Sequence, residues 1–137
     1  MPVTTALLVA GALLVAATAI GLLWRARQGR MRVVDHERMD VADLAAHERG
    51  DRVTIVQFGT EFCARCPQVR RSLTEIAAQH PDVSHVDIDL THRPDLATRY
   101  RVLQTPTTLL VDGDGRIRAR FGGVPHRGEF TDALAAV

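Results

Sequence analysis

Cys63 and Cys66 are the only two cysteines in this 137-residue chain, and they stand with two residues between them, a spacing that lets two thiols close a reversible disulfide. They follow the apolar run Val53-Thr54-Ile55-Val56-Gln57-Phe58 and precede a stretch with helical periodicity. A thiolate at such a strand-to-helix junction faces unpaired backbone N–H groups and the positive end of the helix dipole, which lower its pKa. Cys63 is therefore the candidate nucleophile. Cys66 returns to the same helical face about one turn deeper and is the candidate resolving thiol. Arg65 either adds a cation beside the thiolate or is a solvated surface arginine.

Other chemistries find less support. His80 and His85 follow the cysteines at a loose Cys2His2 zinc spacing. Pro81 breaks the helix that would have to carry both histidines, and a finger leaves the next fifty residues unexplained, so no metal is expected. The remaining histidines, 36, 47, 92 and 126, do not cluster with carboxylates. There is no glycine-rich phosphate loop, nucleophile elbow or H-E-x-x-H, and no cofactor is expected. A formal net charge of +1 gives no reason to expect nucleic acid.

The elements that must position the cysteines can be read around them. The apolar strand from Val53 to Phe58 suits a place covered on both faces, and Gly59 to Phe62 forms the turn. Val69, Leu73, Ile76 and Ala77 mark a helix over Pro67 to Gln79, stopped at His80-Pro81. Pro67 is harmless in the first turn of that helix and kinks it if deeper. A strand carrying Val83, Val86, Ile88 and Leu90 follows, then a short helix from Pro94 to Tyr100. Asp112-Gly113-Asp114-Gly115 joins strands 107–111 and 116–121 as a hairpin. Arginines alternate with apolar residues in the second, as on a half-exposed edge. Gly122-Gly123 ends it, and a helix from Glu129 to Val137, bearing Phe130, Leu134 and Ala135, closes the chain. Upstream, Val33-Val34 begins a short edge strand, and Val41, Leu44 and Ala45 mark a helix ended by Gly50.

Residues 1–24 carry no charged side chain and are long enough, at about 1.5 Å per residue, to cross a bilayer. Ala17-Thr18-Ala19 could pass for a signal-peptide cleavage site, but a basic leading region is missing and the apolar run continues beyond it. Trp24 reads as an interfacial anchor. Arg25, Arg27, Arg30 and Arg32 follow in a basic stretch, 25–32, and the positive-inside rule puts the remainder of the chain in the cytoplasm. A patch for anionic lipid would sit on the same inner leaflet. Residues 33–137 form one α/β domain.

A C-x-x-C pair between a strand and a helix resembles the active site of the thioredoxin family. Phe58 to Cys66 resembles that family's active-site segment, and Tyr100 to Thr107 resembles the segment bearing its cis-proline. The hairpin, the glycine after it and the last helix also fall in family order, so the resemblance covers residues 33–137. It implies a thioredoxin-like fold, a central mixed sheet flanked by helices, and a thiol:disulfide oxidoreductase. It further implies a cis Thr105-Pro106 bond beside Cys63, with the Thr105 backbone pairing with a substrate strand, and Gly122 lining the same groove.

The expected partners are protein disulfides or thiols and a reductase or thiol donor system, the chain acting as a monomer held by its N-terminal helix. Three departures stand out. Gln57 replaces the family's buried aspartate, leaving water, Glu61 or the substrate thiolate to deprotonate Cys66. Phe62 replaces the usual tryptophan, and Ala64-Arg65 replaces Gly-Pro. A redox-inactive binding module, or an oxidase or isomerase outside the cytoplasm, are the alternatives.

Overall fold

Strand Val53–Gly59 (β2) is buried along its whole length, and the rest of the domain is arranged to cover it. The computed structural model describes residues 2–34, 37–44 and 48–137. Val83–Asp89 (β3) lies parallel to β2 on one side, and Thr107–Asp112 (β4) lies antiparallel on the other. Ile117–Gly122 (β5) and Met31–Val33 (β1) continue the sheet in the order β1-β5-β4-β2-β3.

Alternation along the central strands builds a core on each face. Ile55, Leu110 and Phe121 point to the side covered by helices Cys66–Ala78 (α2) and Arg127–Ala135 (α4), where they meet Val69, Leu73, Phe130 and Leu134. Val56, Phe58, Leu109 and Val111 point the other way. They meet Leu96 and Tyr100, from and just after helix Pro94–Arg99 (α3), together with Met39 and Leu44. Both faces of β2 are therefore covered, as its near-continuous apolar run requires.

The hairpin is as expected: the Asp112 carboxylate accepts from the backbone N–H of Asp114 (3.0 Å) and of Arg116 (2.9 Å). β5 is not an edge strand. β1 pairs with it antiparallel, Met31 opposite Phe121 and Val33 opposite Ala119. The side chain of Arg120 is only 16% exposed and reaches Glu37 at 3.1 Å, whereas Arg118 stays exposed, so only part of the arginine alternation in β5 faces open solvent. Between β1 and β2, the predicted helix is a single 3-10 turn, Val41–Asp43, with the Asp40 side chain accepting from Ala42 N–H at 2.9 Å. Ala45 and His47, like His36, lie outside the described residues.

Helix Val3–Arg27 (α1) has none of its residues buried. Its most apolar stretch has a mean hydropathy of 2.5, making it a candidate membrane span. Three residues separate it from β1. The middle one, Gly29, has φ +75° and donates its N–H to Gly122 O at 2.8 Å. A Cβ there would stand 2.1 Å from the carbonyl oxygen of Val124, so only glycine makes this close approach. His126 completes the clasp, its ring Nε2 donating to Gln28 O at 3.1 Å.

Candidate active site

The end of β2 delivers the chain into the turn that holds Cys63. The Cys63 N–H donates to Thr60 O at 3.1 Å, and the Cys66 N–H donates to Cys63 O at 3.3 Å. α2 begins at Cys66 itself, so Cys63 sits in the turn off the helix's N-terminal end rather than within its first turn. Pro67 falls inside that first turn, where its missing N–H has no intrahelical partner to lose. Cys63 and Cys66 are joined as a disulfide, with Cα atoms 5.4 Å apart. Cys63 is half-buried, whereas Cys66 is 3% exposed. Arg65 is exposed, and Phe62 is 85% exposed, so it offers an open apolar face beside the cysteines rather than a shield over them.

Gly59 explains how Cys66 packs so deeply. A Cβ on Gly59 would lie 3.0 Å from Cys66 Sγ and 4.0 Å from Asp87 Oδ1. The sulfur and the carboxylate therefore face one small space above the strand end. Asp87 is held there by Arg70 of α2, 2.5 Å away.

Beneath Cys66 runs a second polar chain. Gln57, fully buried, donates from Nε2 to the Cys66 carbonyl at 3.0 Å. Its Oε1 must then accept, so His85 Nε2, 3.2 Å away, carries the hydrogen. His85 Nδ1 accepts in turn from the Thr74 hydroxyl at 3.0 Å. Burial pushes the His85 pKa down; Asp87 pulls it up and Arg70 pulls it down further. The ring is thus held neutral as one tautomer.

Sequence reasoning missed this chain, having weighed His85 only within a loose zinc spacing. The available signal was alternation: 85 and 87 share one face of β3, and the parallel register sets Gln57 opposite Asp87. Glu61 is exposed at the turn. His85 is engaged with Gln57 and Thr74, so the loose zinc set is not brought together, and no cluster of three ligating side chains occurs among the described residues.

The Thr105-Pro106 bond is cis, with Pro106 buried and Thr105 half-buried at the start of β4. Register brings this segment to the same end of the sheet as the cysteine turn: Thr107 lies opposite Phe58 on one side and opposite Gly122 on the other. Because Gly122 in turn binds Gly29, the end of α1 arrives at that edge too. Gly59 and Gly29 stand three strand spacings apart, about 15 Å.

Comparison with known proteins gives this geometry its context. The thioredoxin family model matches residues 40–136. Thioredoxin H5 of Oryza sativa is 28% identical over 91 residues, which are 66% of this chain and 67% of that protein. A thioredoxin of Methanocaldococcus jannaschii is 29% identical over 84 residues, 61% of this chain and 93% of that one. Among solved structures, Fasciola hepatica thioredoxin has the same fold at TM-score 0.59 and 21% identity, covering 70% of this chain and 89% of its own. Oxidized mitochondrial thioredoxin 3 of Saccharomyces cerevisiae matches equally well, at TM-score 0.59 over 71% of this chain and 90% of its own. With a C-x-x-C pair at disulfide distance between β2 and α2 and the family model spanning most of its length, the chain belongs to the thioredoxin family and is a thiol:disulfide oxidoreductase.

Proposed function

We propose that this protein is a membrane-tethered reductase of protein disulfides. The Cys63 thiolate attacks one sulfur of a substrate disulfide, forming a mixed disulfide and releasing the other substrate sulfur as a thiolate. The Cys66 thiolate then attacks Cys63 Sγ, which closes the Cys63–Cys66 disulfide and frees the second substrate thiol. Two electrons have passed to the substrate, and a cellular dithiol donor returns them. The observation that carries this order is the difference in exposure: a macromolecular disulfide can reach half-buried Cys63 but not Cys66, at 3%.

Asp87, facing Cys66 above Gly59, is the candidate to take the Cys66 proton in place of the acid that Gln57 replaces. The Thr105 backbone, beside Pro106, pairs with the substrate strand. α1 spans the bilayer, Trp24 sits at the interface, and the arginines that follow hold the domain on the cytoplasmic side, where thiols are kept reduced.

The test is trapping. Cys66→Ser in the full chain accumulates mixed disulfides with partners, and Cys63→Ser turns over no substrate. Retention of full disulfide-reducing activity by Cys63→Ser would overturn the assignment of the nucleophile. Thiol labelling of intact cells then reads the side of the membrane.

A further inference from the structure

The cysteine turn shares its end of the sheet with a cavity of about 320 Å3 beside the end of α1. Its walls include Arg27, Arg30, Arg32, Arg101, Arg120 and Gln104. These five guanidinium groups come from three separate parts of the chain: the end of α1 running into β1, the turn after α3, and β5. Glu37 reaches Arg101 at 3.4 Å and Arg120 at 3.1 Å. Arg27, Arg30 and Arg32 have no acidic partner among the described residues.

Cations gathered by the fold around one concavity repel each other unless an anion joins them, and guanidinium forks match the paired oxygens of a phosphate. Gln104 adds a neutral donor. Its Nε2 lies over Gly122, where a Cβ would come within 2.4 Å of it, so the bare strand end leaves the amide room to turn toward a bound anion.

Depth selects the source of the phosphate. Arg27 lies three residues beyond Trp24, about 4.5 Å along the helix axis. The headgroup layer of a bilayer extends about 5–8 Å beyond the hydrocarbon on each side. We propose that the pocket binds the phosphate of an anionic phospholipid, an inference that rests on reading α1 as a membrane span. The bound headgroup would border the substrate groove, since Gln104 and Thr107 flank Thr105-Pro106 and both line the cavity.

The experiment uses the full chain in mild detergent, offered equal phosphatidylglycerol and phosphatidylcholine, with retained lipid counted by native mass spectrometry. Preferential retention of phosphatidylglycerol is expected. Arg27→Gln with Arg101→Gln should lower that preference by roughly an order of magnitude, the scale of two lost charge contacts. Arg71→Gln with Arg118→Gln removes the same charge outside the pocket and should leave it unchanged. The Arg101 side chain is 79% exposed, so the first pair is expected to fold, and Arg27→Gln alone serves if a melting curve shows otherwise.

Equal retention of the two lipids, or equal losses in both double variants, would overturn the proposal. Displacement of phosphatidylglycerol by equimolar inorganic phosphate would overturn the lipid source. Failure of the tether itself reads differently: the chain would leave broken cells in the soluble fraction without detergent.

Discussion

Gln57 shows how a single replaced residue redistributes the work of a site. As an amide it cannot relay a proton, but it ties the Cys66 carbonyl to His85 and so supports the first turn of α2 from below. Protonating His85 disturbs that chain. Its folded pKa lies below the ordinary 6.5, so as pH falls from 6.5 the unfolded chain takes up a proton that the folded chain resists. Stability should therefore be fully present above that value and decline as pH drops toward the folded pKa. Asp82, Asp89 and Asp95, lowered mainly by side-chain hydrogen bonds to Arg52, Thr91 and Arg93, respond only near and below 3.8. Melting the full chain between pH 5 and 8 checks this, and His85→Gln should flatten the slope. Gly59→Ala tests the space above the strand: its Cβ would press on Cys66 Sγ at 3.0 Å, with an expected cost of about 1–3 kcal/mol and slower release of mixed disulfides. Asp87→Asn should slow that release without changing formation of the mixed disulfide, as quenched-flow trapping would resolve.

Elements differed in how far local sequence revealed them. β2, α2 and the β4–β5 hairpin each carry their own signal, in a near-continuous apolar run, a helical period and an Asp-Gly turn, and each forms where that signal lies. The thiol pair was legible for the same reason. Pairing of β1 with β5 was not, because it joins residues some ninety positions apart through a three-residue strand, too short to declare its partner. The Gln57–His85 contact is likewise a product of strand register, which no local pattern states. The clasp at Gly29 holds β1 in place. Gly29→Ala forces a Cβ to within 2.1 Å of Val124 O at a φ of +75°, for which we expect about 1–3 kcal/mol of lost stability. Faster amide exchange at Met31–Val33 would mark where the loss falls.

At the scale of the molecule, the fold brings thiols, cis-proline segment, arginine pocket and the foot of α1 to one end of a five-stranded sheet. With α1 in a bilayer, that end is the one nearest the lipid. Inserting a flexible Gly-Ser segment between Arg27 and Gln28 leaves the Gly29 clasp intact while lengthening the stalk. Reduction of a soluble disulfide should be unchanged, and reduction of a disulfide presented by a membrane-anchored partner should fall, a contrast measurable in reconstituted vesicles. The clasp also has a kinetic meaning. A domain on a loose tether searches a hemisphere, but with α1 in a bilayer one fastened three residues from its anchor would sweep only a thin shell along the membrane, so its collisions would be those of a two-dimensional reactant. On the proposed reading of α1 as a membrane span, partners confined to the same sheet of lipid would meet it at a local concentration that a freely diffusing domain could not match.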